Sequence, residues 1–311
     1  MSKETSASVV SGISEVESSV MHARNVAPQG RSLFRDAIGR LRKNRGAILC
    51  LAIVFGYTLV ALFAKLEWIA SPWDRVIGSG YQPPSFGSLE ALLGTDLFGR
   101  SVLYKVLHGT RIAMSVGLVS SLISTPIGVI LGAAAGYFGG WIDDLIVWFY
   151  TTLSSIPYIM LVIAVTLVLG KGLTSVYFAL GVTSWVGLAR VIRGEFIKHK
   201  ARDYVVAAES IGASHLSRIF KHILPNVFHF VIINLSIQFM SAIKSEVILS
   251  FLGLGVQGQP SWGVMIDDAK LELARGVWWQ LAGASGAMFF IVLAFNILGD
   301  SLRDALDPKM K

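Results

Sequence analysis

Apolar residues gather along this chain in six long stretches, at 46–64, 112–136, 145–169, 173–192, 227–252 and 280–299, with polar and basic residues between them. Each is near the roughly 20 residues that a helix needs to cross a bilayer. The first and last carry no Lys, Arg, Asp or Glu through their centres, whereas the fourth is only moderately apolar, with Thr174, Ser175, Thr183 and Ser184. Backbone in lipid must satisfy its own polar groups, and uninterrupted runs of this length do not alternate as barrel strands do. The pattern predicts an all-α, polytopic membrane protein with six transmembrane helices. Small residues recur in it, as in GVILGAAAG at 128–136, so the helices are expected to pack closely on one another.

Composition agrees. At 311 residues, 53% hydrophobic, 15% charged and mean hydropathy +0.62, the chain is too apolar for soluble domains of that length. Lys and Arg concentrate before the first stretch (Arg24, Arg31, Arg35, Arg40, Arg42, Lys43, Arg45), between the fourth and fifth, and after the sixth. That bias puts both termini in the cytoplasm. YFGGWIDD at 137–144 dissents with two aspartates and no base, but acidic residues weigh little in this rule. The net charge of +7 is accounted for by flanks facing anionic membrane lipid; no basic patch interleaved with aromatics points to nucleic acid. Cys50 is the one cysteine, which excludes an internal disulfide and a cysteine-based metal site.

Residues 1–30 lack a signal-peptide core and read as a disordered cytoplasmic tail. In 31–45, Phe34, Ile38 and Leu41 at helical spacing among arginines read as an amphipathic interfacial helix, or as a plain topology signal. The loop at 65–111 is long for a simple turn and is expected on the outer side, where it would help receive a partner. Trp262, Trp278 and Trp279 are expected in the aromatic belt. Pro157 and, after the fifth stretch, Gly253 and Gly255 are bending points, although proline is also tolerated in membrane helices without consequence.

Little chemistry is available to the chain alone. No phosphate-binding loop of the G-x-x-x-x-G-K-[ST] type occurs. GASG at 283–286 resembles an intramembrane serine protease motif, but no histidine follows Ser285, so these residues are expected to be packing contacts. Lys244 and Glu246 are the charges inside the stretches; two residues apart on a helix, they do not face each other. Each is either a satisfied contact between helices or part of a transport path, and two are too few for an ion-coupled carrier.

The polar insert AAESIGASHLSRIFKHILPN, 207–226, remains. It reads as two short helices joined at Gly212 and stopped by Pro225, with Ala207 and Ala208 small enough to rest against another surface. Arg218, Lys221 and His222 are expected to face water, lipid headgroups or a partner. Nothing in the insert catalyses; it looks built to be held by another protein.

Ala207, Ala208 and Gly212 followed by Leu224 and Pro225 resemble the "EAA" loop of permease subunits of ATP-binding-cassette importers. LLGTDLFGRSVLYKVLHGTRIAMSV (92–116), AAGYFGGWIDD (134–144), SFLGLGVQGQPSWGVMI (250–266) and LGDSLRDALDPKMK (298–311) are similar to the dipeptide, oligopeptide and nickel permeases, in particular their C-type second subunit. The resemblance implies the type I importer permease fold in a bacterial inner membrane, over 46–311, with a cytoplasmic coupling loop at 193–226. It implies a second permease subunit, two ATP-binding subunits that hold the ATP and magnesium, and an extracytoplasmic substrate-binding protein. It also implies alternating access with no enzymatic activity in this chain. Carried over residue by residue, the coupling set is Ala207, Ala208, Glu209, Gly212, Ala213, Ser214, Leu216, Leu224 and Pro225. Di- or oligopeptides are the expected cargo, with nickel, sugars and peptide-like antibiotics as alternatives; a membrane scaffold or a secondary transporter is the reading outside the family. Val206 stands where the motif has Glu, Ser101 where the outer loop has Asp, and Lys244 where an apolar residue is usual.

Overall fold

In the computed structural model the described residues are 39–306. The tail over 1–30 and most of the surface helix expected over 31–45 lie outside them. Helical backbone at 39–41 leads to Asn44, whose side chain accepts from the Ala47 amide at 3.2 Å and caps α1, Arg45–Lys65.

Helix α2, Val102–Phe138, starts ten residues earlier than its apolar stretch, so the expected loop at 65–111 ends at Ser101. Its first turns carry Lys105, His108 and Arg111, which read as loop in the sequence. They are helical because the Ser101 hydroxyl accepts from the Tyr104 amide at 3.2 Å and because the loop folds over them, burying Lys105 and His108. Ser101 thus serves as the cap; it also donates to the Glu90 carbonyl at 2.6 Å.

The third stretch is broken. Helices α3, Gly140–Ser154, and α4, Tyr158–Leu169, meet at 90°, because Pro157 has no N–H to continue the ladder and disfavours helical backbone at Ile156 before it. The fourth stretch forms α5, Leu173–Thr183, and α6, Trp185–Lys200, running eight residues past its expected end. Next come α7, Asp203–Ser210, a turn at His215–Ser217 and a π-helical segment, Arg218–Ile223, which leads straight into α8, Leu224–Phe251. A short α9, Trp262–Leu273, and α10, Trp279–Leu306, complete the chain. Among the described residues five helical stretches are long and apolar enough to cross a membrane, six when the bent pair counts as one span. Only isolated β-bridges accompany them, Val76 with Arg100 and Thr95 with Ser101.

α2 is the spine. Its first half packs with α8, α9 and α10 through Val106, Ala113, Phe239 and Trp262; its middle packs with α4 and α5; its last turns, through Ala133 and Tyr137, pack with α6, α7 and the π-helical segment. The small residues expected to permit this do so. A Cβ on Gly132 would lie 2.6 Å from the Ala189 carbonyl oxygen, and one on Gly128 would lie 2.9 Å from that of Trp185, so α2 and α6 touch backbone to backbone. In GASG, Gly283 packs against Val106, whereas Gly286 has open space.

Two of the three tryptophans assigned to the belt are core pins instead. Trp262 is fully buried against Gly109 and donates to the Val106 carbonyl at 3.1 Å; Trp279 donates to the Thr95 carbonyl at 2.9 Å. A buried indole needs an acceptor for its N–H, and each has found one. Trp278 is exposed.

The end of the bundle that carries 66–101 is fastened by one buried carboxylate. Asp96 accepts from the Phe98 and Arg100 amides at 2.9 Å, from Arg100 Nε at 2.8 Å and from Lys105 Nζ at 3.1 Å. Lys105 also donates to Gln280 on α10 at 2.8 Å. Burial pushes the Asp96 carboxyl upward, but Lys105 and the Arg100 hydrogen bonds more than offset it and hold it below the usual range. Asp268 and Glu272 on α9 are raised, chiefly by burial.

Candidate coupling surface and translocation path

Helix α7 lies at the end opposite the Asp96 loop, beside the last turn of α2. Asp203 in its first turn suits the positive helix end. It stops at Gly212, whose φ of +86° is a left-handed conformation that a side chain disfavours. There the Gly212 amide donates to the Glu209 carbonyl and the Ala213 amide to that of Ala208, both at 2.9 Å, so the helix end is closed. Ser214 then caps the next turn, accepting from the Ser217 amide at 3.3 Å.

The paired alanines point in different directions. Ala208 is buried with Val205 against the chain's own core, and only Ala207 faces outward, beside Val206 and Ile211. Gly212 and Ser214 are exposed, Ala213 is half-buried, and Leu216 is exposed. Ile211 at 86% exposure, Leu216 at 66% and Phe220 at 58% give this end an apolar tip. Leu224 is half-buried and Pro225 exposed, in the first turn of α8, where a missing N–H costs nothing.

Glu209 is exposed, but its carboxylate is ion-paired with Arg218 of the same chain, so it does not stand in for the motif Glu that Val206 replaces. Arg218 corrects an expectation: it does not face water or headgroups, being buried to 8% exposure between Glu209, His215 and Tyr137. Its partners are the reason: Glu209, His215 and the Tyr137 ring satisfy the guanidinium inside the fold, while Lys221 stays exposed. Tyr137 and His215 were not singled out by the sequence; the residues that meet are 78 apart and carry no spacing signal.

Lys244 and Glu246 part company. Lys244 is exposed on α8; Glu246 is fully buried, accepts from Ser250 Oγ at 2.6 Å and keeps Oε2 without a partner. Among the described residues no three His, Cys, Asp or Glu side chains converge as metal ligands.

Residues 126–311, more than half of the chain, match the family described as binding-protein-dependent transport system inner membrane component, and residues 32–84 match the N-terminal TM domain of oligopeptide transport permease C. The chain is 37% identical over 290 residues to the dipeptide transport system permease protein DppC of Bacillus subtilis, covering 93% of this chain and 90% of that one. It is 33% identical over 290 residues to the oligopeptide transport system permease protein OppC of the same organism, covering 93% and 94%. It is 37% identical over 285 residues to the glutathione transport system permease protein GsiD of Escherichia coli, covering 91% and 93%.

Proposed function

The chain belongs to the binding-protein-dependent transport system inner membrane components, and on that premise we propose that it is the C-type permease subunit of an ATP-driven importer of di- or oligopeptides. It pairs with a second, different permease subunit to enclose the path, docks two ATP-binding subunits that hold ATP and magnesium, and receives cargo from an extracytoplasmic binding protein. It lies in the bacterial cytoplasmic membrane with α7 inside and the Asp96 loop outside, as the Lys and Arg bias favours.

The observation that carries this reading is α7. A short helix stopped at a left-handed glycine, with Ile211 and Leu216 exposed at its tip, has the shape and apolarity to seat in a groove of a partner. Ala207, Val206, Ser210 and Ile211 form the docking face; Ala208, Ala213, Leu224 and Pro225 hold it on the bundle. Glu209 acts from inside the chain, through Arg218. Of the two charges in α8, we assign Lys244 to the path, since its exposed cation would be costly against lipid, and Glu246, which is buried, to the fold.

Closure of the ATPases on ATP draws α7 and its counterpart together and turns the permease pair from inward-facing to outward-facing. The 90° break at Pro157 and the left-handed Gly253 after α8, φ +72°, are where helices change direction and where such a rotation concentrates. The test is uptake of a labelled dipeptide into proteoliposomes holding both permeases and the ATPases, with the binding protein supplied outside the docking side. Uptake that needs ATP, binding protein and this chain supports the reading. Uptake unchanged when this chain is omitted contradicts it.

A further inference from the structure

We propose that Arg218 is a positioning residue that carries displacement of α7 into α2; this rests on α7 being the ATPase-docking helix. The guanidinium holds three elements at once. One nitrogen pairs with Glu209 on α7, another lies 2.9 Å from His215 Nδ1, and the group sits 5.7 Å from the centre of the Tyr137 ring on the last turn of α2. Tyr137 Oη lies 3.0 Å from the same His215 Nδ1. Arginine can only donate, so Nδ1 is the acceptor, and its single lone pair is shared between the guanidinium and the nearby tyrosine hydroxyl. Lys200 Nζ, 5.5 Å from the centre of the Tyr137 ring, adds a second cation to it.

Burial turns this cluster into a link. Arg218 and Tyr137 are both more than nine-tenths buried, and among the described residues Arg218 Nε has no partner and Glu209 is the carboxylate paired with the guanidinium. Moving α7 away without Arg218 would strand a buried charge, which is far costlier than sliding an apolar contact. α7 also meets the bundle through the apolar Val205 and Ala208 and through Tyr204, whose hydroxyl lies 2.6 Å from His199 Nδ1 at an exposed site, but neither contact would strand a buried charge when broken. Displacement of α7 therefore drags Arg218, and through Tyr137 it reaches α2, which runs the length of the bundle from its first turn, where Lys105 meets Asp96. Arg218 also opens the π-helical segment, where the backbone ladder is least regular.

The test uses the full complex in proteoliposomes and reads peptide transported per ATP hydrolysed, with co-purification of the ATPases measured alongside. For Arg218→Gln the ATPases remain bound and transport per ATP falls about tenfold, a loss of ~1.4 kcal/mol of coupling. Arg218→Lys, which meets Glu209 but cannot also reach His215, assembles normally and gives a smaller fall. The exchange Glu209→Arg with Arg218→Glu recovers part of the loss. Wild-type transport per ATP in both Arg218→Gln and Arg218→Lys overturns the proposal. If Arg218→Gln fails to assemble, Arg218→Lys and the exchange decide it: normal coupling in the first, or no recovery in the second, overturns it. Failure of the wild-type chain to bind ATPases would instead overturn the docking role of α7.

Discussion

Lys244 and Glu246, two residues apart on α8, occupy opposite environments: the lysine is exposed on the helix surface and the glutamate is fully buried beneath Ser250. A helix rotates about 200° over two residues, so one side chain is turned out of the fold while the other is turned into it. On the path role proposed for Lys244, Lys244→Gln is expected to leave the thermal midpoint unchanged and to shift preference between peptides of different net charge. Competition uptake between acidic and basic dipeptides checks this.

Glu246→Ala is expected to act on stability rather than selectivity. It removes the acceptor of the Ser250 hydroxyl and opens a void under the 252–261 loop, together worth ~1–3 kcal/mol. Thermal unfolding of the purified chain in detergent measures the shift, and unaltered selectivity in whatever protein survives completes the contrast with Lys244.

Gly212 separates backbone strain from docking. A Cβ there would meet open space, so Gly212→Ala has only the left-handed conformation against it, at ~1–2 kcal/mol, and is expected to fold and keep its ATPases. Gly212→Trp adds bulk at the tip and is expected to lose them. Co-purification of both variants under one detergent condition makes the comparison.

The backbone contact of α2 with α6 has no room for a side chain. Gly132→Leu would drive a branched side chain into the Ala189 carbonyl and the Ile192 side chain. The expected result is loss of the folded chain from the membrane fraction, whereas Gly286→Ala, with open space, is tolerated.

The Asp96 end of the bundle responds to pH in two directions. The Asp96 carboxyl is held below its ordinary value by Lys105 and Arg100, so its stabilisation is complete above that ordinary value and is lost as pH falls through the depressed one. Asp268 and Glu272 are raised by burial, so their ionised forms are penalised at neutral pH, and the penalty is relieved as pH falls through the raised values. The thermal midpoint is expected to rise modestly on mild acidification and then fall. Asp96→Asn, which breaks the buried pair at ~3–5 kcal/mol, is expected to lower the midpoint at neutral pH and flatten the acid-side fall.

The spans were legible because hydropathy alone reports a lipid-facing helix. The first ten residues of α2 were not, since Lys105 and His108 look like loop until the Asp96 segment folds over them. Pro157 was legible as a bending point, but the angle is set by what α3 and α4 pack against. The helix–glycine–helix outline from Ala207 through Pro225 was legible, yet the sequence reading gave both alanines one role and turned Arg218 outward, to water, headgroups or a partner. Arg218 is turned inward to Glu209, His215 and Tyr137, partners that lie elsewhere in the sequence and that no composition signal announces.

The most direct measurement is disulfide trapping at the tip of α7. With Cys50→Ser to clear the native thiol, Ile211→Cys is paired in turn with single cysteines in the groove of the ATPase and on the binding protein, in intact membranes. The account predicts an adduct with the ATPase that is abolished by Gly212→Trp. An adduct with the binding protein, or none with the ATPase in an assembled and transporting complex, would contradict it.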